Sequence, residues 1–578
     1  MENFFKDNED ILFHLEHLDL DRIIRLKEEG FRDADRYPHA PKDEKDARES
    51  YGLVLSIIGE ICGEFIAPAA PGVDEEGPTL ENNQVRLNPA TRKALDMFAQ
   101  ADLMGFCIPR QYGGLNMPTT ILSAAAEIIA RADASFLNFG LQQDIAETIN
   151  KFASEEQKQA FLPRLCSGEW GSSMILTEPD AGSDLQAVNL KAVPGEDGKW
   201  YLTGVKRFIT NGCGTIGLVL ARSEDQGGSR GARGLSFFLY QRDDKMIIRR
   251  LEHKLGIHGS PTCELQFNHA PAQLVGERQR GLTKYTMWLM NNARLGVAAQ
   301  AVGIAEAAYR EADRYAAKRV QFGAPVRALP PVFEMLTEMK VAIEAGRTLL
   351  YETARFVDLK EGLEDYSEKH PEEKGELIEE KKRYAKLAGF FTPMVKAYTT
   401  EMANKAAYDA LQIHGGTGYM REFNAERHYR DARITNIYEG TTQLQIVAAI
   451  GPVTSGVAQG ILDEYDRAVY PQGPELLEKI RAARNLFDET LDFVKAYKGH
   501  DQFLTYHSRR LVEMAADLII SYLLLRDGAH SPRKLKAAAI FIARMPSRIE
   551  GNRNFILSED GTLLKNYAEV IGGAFPKL

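Results

Sequence analysis

The sequence lacks any pattern of paired cysteines. Its 578 residues hold five cysteines, none in a Cys-x-x-Cys spacing and none at the spacing of metal ligands. It therefore predicts neither a disulfide framework nor a metal site, and we expect buried thiols in a reducing compartment. The cysteines are Cys62, Cys107, Cys166, Cys213 and Cys263.

Long apolar runs and an excess of positive charge are also lacking. Apolar stretches fall short of the roughly 18 to 20 residues of a membrane helix, and the acidic N-terminus has no secretory core. We therefore expect no membrane span and a cytoplasmic location. The formal net charge of -10, with a pI near 5.8, argues against a nucleic-acid partner held by whole-chain charge.

The chain has an ordinary globular composition, with 44% hydrophobic and 26% charged residues. Its length exceeds what one hydrophobic core supports. Apolar periodicity is helical, then β-like, then helical again. The predicted segments are an N-terminal extension (1–44), a helical domain (45–168), a middle β domain (169–276), a C-terminal helical domain (277–455) and an additional helical domain (456–578).

The middle segment contains short β-rich stretches separated by glycine-rich breaks. This pattern predicts a small antiparallel barrel or sandwich rather than βαβ units. The predicted strands are 174–176, 200–209, 217–221, 235–240, 245–250 and 264–267, and the clearest break is 225–231.

Two charged stretches need an interpretation. The dense charge run 361–383 contains Pro371 and predicts a solvated helix-loop insertion between long helices at 295–319 and 332–358. A basic cluster in the last segment predicts a helix surface; its residues are Arg533, Lys534, Lys536, Arg544 and Arg548.

Two motifs in the β segment suit a flat ring with polar edges. The stretch from Met174 to Asp184 leaves a strand through Glu-Pro and reaches a Gly-Ser-Asp loop, which offers main-chain NH groups and hydroxyls together. Phe208 and Thr210 lie two apart on a strand and so share a face. Core packing of Phe208 is the alternative that periodicity alone favours.

Two glycine-rich breaks follow helical patterns. Arg319 to Gly323 ends one helix, and Gln412 to Tyr419 breaks another. Glycine lets a ligand approach the backbone, and Arg319 supplies a charge for a pyrophosphate. His414 is as consistent with a structural role as with a functional one. The second break lacks the βαβ context of a dinucleotide fingerprint.

Glu439 stands at a glycine-broken turn in the stretch from Ile434 to Gln445. Taken alone, this acid is most simply the end of one helix and the start of the next.

These motifs, in this order, resemble the acyl-CoA dehydrogenase family over about residues 50 to 455. The resemblance also includes 155–170, 254–262 and 430–433. It implies a mainly α fold with a central β domain: a helical domain, a small β-barrel or sandwich, and a four-helix bundle. The extra C-terminal helical domain resembles a long bacterial subgroup that includes methylmercaptopropionyl-CoA dehydrogenases.

The resemblance implies FAD as the cofactor. The residues implied for it are Met174, Leu176, Thr177, Ser183, Phe208, Thr210, Arg319, Gln321, Phe322, Gln412, Gly415, Gly416, Thr441 and Gln443. Phe208 replaces a tryptophan that is common in the family. Leu329-Pro330-Pro331-Val332 replaces a His-Gln type pair, so that cofactor contact is not carried over.

The resemblance also implies the reaction, in which Glu439 removes the α-proton of an acyl-CoA, hydride passes to flavin N5, and a trans-2-enoyl-CoA forms. The implied substrate contacts are Ser183, Asn291, Arg294, Tyr438 and Gly440. Some members take their base from the residue before the arginine, but here that residue is Ala293, which cannot accept a proton.

The implied partners are an electron-transfer flavoprotein and a second copy of the chain. A homodimer is expected, with a homotetramer as the alternative. Two other functions share these residues: an acyl-CoA oxidase that reacts with oxygen, and a flavin-containing protein of the same fold whose basic tail binds DNA or a partner.

Overall fold

The computed structural model describes residues 2–141, 143–224, 231–373, 375–497 and 500–572. The chain divides into two compact units, Met1–Leu444 and Gln445–Leu578. Of the predicted glycine-rich break at 225–231, residues 225–230 lie outside the described residues.

The first unit is mainly helical. Its helices are α1 (Glu9–His17), α2 (Asp21–Glu28), α3 (Glu44–Ile61), α4 (Ala67–Glu76), α5 (Pro89–Gln100), α6 (Thr119–Ala132), α7 (Ala134–Gly140), α8 (Gln143–Phe152), α9 (Glu155–Cys166), α10 (Met287–Lys318), α11 (Pro330–Lys369), α12 (Ile378–His414) and α13 (Ala425–Thr435). Helix α14 (Thr442–Thr454) begins in this unit.

Local chemistry explains several helix starts. Ser154 caps α9 in a capping box with Gln157, which satisfies main-chain NH groups at the helix start. The pair Pro330-Pro331 occupies the first turn of α11, where proline costs no hydrogen bond.

The N-terminal extension belongs to the core of the first unit. Ile11 of α1 and Ile24 of α2 are fully buried in its main apolar cluster. Glu28 accepts two hydrogen bonds from the buried guanidinium of Arg110, at 2.6 and 3.0 Å. These contacts make the extension one wall of the helical domain.

Strands of the first unit form two hairpins and a barrel. They are β1 (Thr79–Glu81), β2 (Gln84–Arg86), β3 (Ser172–Ile175), β4 (Lys191–Pro194), β5 (Trp200–Thr210), β6 (Ile216–Arg222), β7 (Leu235–Gln241), β8 (Met246–Leu251), β9 (Thr262–Leu274), β10 (Val320–Gln321) and β11 (Ala324–Pro325). The β1–β2 hairpin lies in the segment predicted to be entirely helical, so that expectation was wrong there.

The middle strands close into a barrel. They run in the order β3-β6-β4-β5-β9-β7, β7 also pairs with β6, and β8 pairs with β9. The expectation of a purely antiparallel sheet was wrong, because β3 and β4 each pair with β6 in parallel. Strand β9 runs past the predicted end because a bulge at His269 (φ 56°) absorbs one residue and pairing resumes at Ala270.

The charge run at 361–383 is only partly a solvated insertion. Helix α11 continues to Lys369, and α12 begins at Ile378 after a turn. Leu363 and Ser367 are buried on the inner face of α11, with Leu363 in the main apolar cluster. The predicted helix-loop character is confirmed, whereas full solvation of the segment was wrong.

The second unit is helical in its described part. After the end of α14 it contains α15 (Val457–Asp466), α16 (Pro474–Ala496), α17 (His500–Gly528), α18 (Pro532–Leu557) and α19 (Thr562–Ile571). The predicted periodicity is confirmed on α17, where the inward residues are fully buried: Leu511, Met514, Ala515, Leu518 and Ile519.

The basic cluster of this unit is not a uniform helix surface. Lys534 is buried, and Arg548 donates two hydrogen bonds to the carboxylate of Asp517, both at 2.8 Å. The predicted helix surface is confirmed at Arg548, which is exposed and paired with an acid, whereas the prediction was wrong for the buried Lys534.

One stretch of the described residues is long and apolar enough to cross a membrane. It is the continuous helix Glu44–Glu76. A bent pair of helices, Thr442–Thr454 and Val457–Asp466, reaches the same length and hydropathy only when the two are counted as one segment. The apolar side of Glu44–Glu76 packs into the helical core through residues such as Leu55 and Ile58. Glu60 and Glu64 interrupt its apolar run, so the sequence shows no uninterrupted apolar stretch of that length there, and the expectation of no such helix was wrong.

Candidate active site

Glu439 lies on a tight turn between α13 and α14. Its φ is 53°, and that of Gly440 is 89°, so both adopt the left-handed conformation. The buried ammonium of Lys396, on α12, donates to the carbonyl oxygens of Tyr438 at 2.7 Å and of Gly440 at 2.6 Å. These bonds hold the backbone on both sides of a strained residue.

Glu439 lines a cavity of about 170 Å³. Met174 and Thr210, predicted to face a flavin, line the same cavity, as does Tyr438. Ala293, the position that a different base would occupy, lines it too. The fold therefore brings together predicted residues from β3, β5, α10 and the turn before α14.

The electrostatics suit a carboxylate that exchanges protons near neutral pH. Burial and the nearby carboxylate of Asp144 raise the pKa of Glu439 to about 7, against the opposing attraction of Lys396 and Arg294. Burial lowers the pKa of Lys396 to about 8, although attraction to Glu439 opposes this shift. At neutral pH the ionised and the protonated forms of the Glu439 carboxyl group are therefore both populated, so it can accept a proton and also retain it.

The predicted substrate-contacting residues Arg294 and Asn291 lie beside this turn. The Arg294 guanidinium is largely buried and donates to the carbonyl oxygen of Glu439 at 3.4 Å and to Oδ1 of Asn291 at 3.0 Å. Burial lowers the pKa of Arg294.

Tyr438 is fixed by a second set of contacts. Its hydroxyl donates to Oε1 of Gln300, and Asn138 Oδ1 lies at 3.4 Å. Gln300 in turn donates to the carbonyl oxygen of Ala134 at 2.8 Å. The turn is thus anchored to α7 and α10 as well as to α12.

The end of β3 and the bulged part of β5 meet next to the cavity. Arg207 NH donates to the carbonyl oxygen of Thr177 at 2.9 Å, and the buried ammonium of Lys206 donates to that of Leu176 at 2.7 Å. The pairing of β5 with β9 shifts between Lys206 and Ile209, and Phe208 there has a φ of 61°. The shift leaves the Phe208 ring 53% exposed, so the core-packing alternative was wrong.

The glycine-rich breaks lie on an exposed surface of the C-terminal helices. Arg319 and His414 line one open surface cavity. Phe322 is 93% exposed, and four more predicted cofactor residues are exposed: Gln321, Gln412, Gly415 and Gly416. His414 is buried, stacks on Tyr315 at 4.4 Å and bonds the Ala410 carbonyl at 2.7 Å, which is a structural role.

The structure does not bring every predicted residue to the Glu439 cavity. Among the residues it describes, several of the predicted set lie outside the cavity lining, namely Leu176, Thr177, Ser183, Phe208, Thr441 and Gln443, as well as Gly440. Ser183 and Gln443 are exposed, and Thr441 is half-buried.

Three ionisable residues of the site were missed in the sequence. Lys396 lies on α12, and Asp144 and Glu147 lie on α8; both acids line the cavity. A lysine within the apolar run from Phe390 to Ala397 was the one available signal, because a buried lysine needs partners. The two acids carry no comparable signal, since acids on amphipathic helices are common.

Comparison with known proteins decides the family. The chain is 37% identical over 424 residues to the 3-methylmercaptopropionyl-CoA dehydrogenase of Ruegeria pomeroyi, covering 69% of each chain. It also matches four family models: the acyl-CoA dehydrogenase N-terminal domain (58–169), middle domain (173–270), C-terminal domain (280–449) and acyl-CoA dehydrogenase C terminal (454–560). The chain belongs to the acyl-CoA dehydrogenase family.

Solved structures agree with this assignment. A chain in the Acidaminococcus fermentans work on electron transferring flavoprotein is 30% identical, covers 69% of this enzyme and 96% of its own length, and has a TM-score of 0.58. A Bacillus anthracis acyl-CoA dehydrogenase complexed with FAD has a TM-score of 0.74 and covers 91% of this enzyme and 92% of itself. At 21% identity, the latter shows the fold alone.

The predicted fold class is therefore confirmed, including the additional C-terminal helices. The enzyme is an FAD-dependent oxidoreductase that acts on acyl-CoA. Its substrate and the roles of its individual residues are taken up next.

Proposed function

We propose that the enzyme converts an acyl-CoA to its trans-2-enoyl-CoA, with Glu439 as the base that removes the α-proton. The supporting observation is that Glu439 shares one cavity with Met174 and Thr210. Its pKa near 7 gives it the basicity that an ordinary surface carboxylate lacks.

The residues around Glu439 have distinct tasks. Lys396 fixes the turn and keeps the carboxylate of Glu439 ionisable in a buried site. The main-chain NH of Glu439 is the proposed donor to the thioester carbonyl, where negative charge develops as the α-proton leaves. The proton then rests on the Glu439 carboxylate.

Bound FAD would supply the acceptor for the β-hydride. The exposed Phe208 ring fits this group, because the shift in the pairing of β5 leaves a flat apolar side chain exposed two residues before Thr210. The proposed ring contacts are Met174, Leu176, Thr177, Ser183, Phe208 and Thr210, with Thr441 and Gln443 after the base.

The adenosine and pyrophosphate end is proposed to contact the exposed glycine-rich breaks. Arg319 carries the positive charge that suits a pyrophosphate. Phe322 is 93% exposed, so a large apolar side chain on this surface is in contact with solvent when only one copy of the protein is present. A second copy in a homodimer would cover it, and the proposed cofactor residues are Arg319, Gln321, Phe322, Gln412, Gly415 and Gly416.

The CoA ester is proposed to lie along the turn. Arg294 and Asn291 form one pair next to Glu439. Tyr438 and Gly440 flank the base, and exposed Ser183 is the remaining proposed contact.

An electron-transfer flavoprotein is the proposed electron acceptor. The 30% identical chain from the Acidaminococcus fermentans flavoprotein work supports it. Rapid formation of peroxide by the substrate-reduced enzyme in air would instead establish the oxidase alternative.

The test is anaerobic bleaching of the flavin with a panel of acyl-CoAs. Wild type should bleach with at least one straight-chain member, and Glu439→Gln should keep its flavin yet lose bleaching by about 10³-fold or more. Glu196→Gln is the matched control, because Glu196 is exposed and lines neither the Glu439 cavity nor the cavity at Arg319, and it should behave as wild type. Bleaching at wild-type rate by Glu439→Gln would show that another group is the base.

A further inference from the structure

The cavity next to Glu439 has an acidic region on α8. Asp144 and Glu147 lie three positions apart, so they share one face of that helix. Both line the cavity beside apolar side chains such as Leu122, Leu137 and Leu141, and beside the uncharged polar side chains of Ser123 and Asn138. A polar region at one part of an apolar pocket is the usual means by which a site selects the end group of a ligand.

The ionisable side chains that line this cavity are all acidic. Among the described residues that line it, the ionisable side chains are Asp144, Glu147, Glu439 and Tyr438, and none is a lysine or an arginine. The cations near the site, Lys396 and Arg294, bond the backbone of the Glu439 turn. A second carboxylate that entered this cavity would therefore meet the negative charges of Asp144 and of ionised Glu439, with no lysine or arginine in the described lining to pair with it.

The size of the cavity limits the acyl group. Its volume of about 170 Å³ is similar to the roughly 150 Å³ of an apolar protein cavity that binds benzene. Part of it adjoins the flavin-facing residues Met174 and Thr210. The space therefore suits an acyl chain with about six non-hydrogen atoms beyond its carbonyl.

We propose that the substrate is a short acyl-CoA whose chain ends in a hydrogen-bond donor, an ammonium or a hydroxyl group, which Asp144 and Glu147 recognise. Acyl chains that end in a carboxylate are excluded. This inference rests on the proposed function, because it assumes that the acyl chain lies in the cavity of Glu439.

The protonation of the two acids supports this selection. Burial raises the pKa of Asp144 to about 6 and that of Glu147 to about 8. Repulsion from Glu361 adds to the shift at Glu147, and attraction from Lys27 on its other side does not cancel it. Near pH 7, Asp144 is thus mainly an acceptor, and Glu147 mainly carries a proton that it can share with the end group.

The experiment compares four CoA thioesters of equal chain length: hexanoyl, 6-hydroxyhexanoyl, 6-aminohexanoyl and 5-carboxypentanoyl. The holoenzyme is assayed for flavin bleaching and for kcat/KM at pH 7. We expect kcat/KM for the hydroxyl or amino compound to exceed that for hexanoyl by at least about fivefold. We expect the carboxylate compound to fall at least about tenfold below hexanoyl.

Variants show whether the two acids cause the preference. Asp144→Asn combined with Glu147→Gln should remove the advantage of the donor compounds and relieve the carboxylate penalty. Each result is expressed relative to hexanoyl, so that any change in Glu439 cancels. Glu156→Gln, an exposed acid on α9 that does not line the cavity, should keep the wild-type ratios. The single variant Asp144→Asn, with the same expected direction because Asp144 is the acid that is mainly ionised at pH 7, replaces the double variant if that fails to fold.

The outcomes are distinguishable. If hexanoyl-CoA bleaches the flavin while the carboxylate compound is used equally well, or if the double variant keeps the wild-type ratios, the inference is wrong and the proposed function stands. If none of the four thioesters bleaches the flavin while another acyl-CoA of the panel does, the inference is wrong and the proposed function stands. If no acyl-CoA of the panel bleaches the flavin, the proposed function fails and the inference fails with it.

Discussion

Lys396 holds the turn that carries Glu439, because its ammonium bonds the main-chain carbonyls on both sides of that residue, at 2.7 and 2.6 Å. Lys396 is fully buried on α12. A buried lysine without partners would be costly, so the turn and the lysine stabilise each other. The same cation opposes the upward shift of the Glu439 pKa.

The pH dependence of the reaction should follow Glu439. Because its pKa is raised to about 7, the basic form is lost below that pH, and kcat/KM should rise with a midpoint near pH 7. Asp144→Asn removes a neighbouring negative charge, so the midpoint should move to lower pH. Rate measurements from pH 5 to 9 test both statements, and an unchanged midpoint in Asp144→Asn would refute the coupling between the two acids.

Replacing Lys396 should move the midpoint in the opposite direction. Lys396→Met removes a positive charge that favours ionised Glu439, so the pKa of Glu439 should rise above about 7. It also removes both bonds to the turn, and kcat should fall by roughly tenfold or more. Lys396→Arg retains the charge and should keep the midpoint near that of wild type. A midpoint that falls in Lys396→Met would contradict the assigned electrostatics.

The buried ion network of Arg347 should be essential for stability. This guanidinium is fully buried and bonds Glu127 at 2.5 Å, Glu306 at 2.9 Å and Asp10 at 3.4 Å. Arg347→Met leaves the buried carboxylate of Glu127 without its guanidinium partner and removes one of the two cations that pair with each of Asp10 and Glu306. This loss should cost about 3 to 5 kcal/mol of unfolding free energy.

Denaturant unfolding of that variant provides the measurement. Arg314→Met is the control, because Arg314 is exposed and its ion pair with Glu2 spans 3.7 Å, so it should change stability little. Equal losses of unfolding free energy in the two variants would show that the Arg347 network stabilises the protein no more than an exposed ion pair does.

Association of two chains should depend on Phe322. Phe322→Asp places a charge on an apolar side chain that is 93% exposed and that we propose to be covered in a homodimer. Light scattering should then show a shift toward monomer, and FAD should be lost more readily on dilution. Val469→Asp alters an equally prominent side chain, 89% exposed, and should change neither property. A Phe322→Asp variant with unchanged mass and FAD retention would argue against this interface.

Much of the fold follows from local patterns in the sequence. The strands 200–210, 216–222 and 235–241 lie within a residue of their predicted bounds, because period-two patterns and flanking turns act over a few residues. The β1–β2 hairpin and the parallel pairs of β6 were missed, since strand partners are chosen by contacts distant in sequence. The burial of Lys534 was missed for the same reason.

The sequence by itself determined the family and singled out Glu439, since the motifs are contiguous and appear in a fixed order. Only the tertiary structure decided which charged groups surround that acid. Lys396, Asp144 and Glu439 come from three separate elements, and their coupling depends on distances that no spacing in the sequence records. Burial then sets the size of each pKa shift, because an interaction between charges grows as packing removes water from between them.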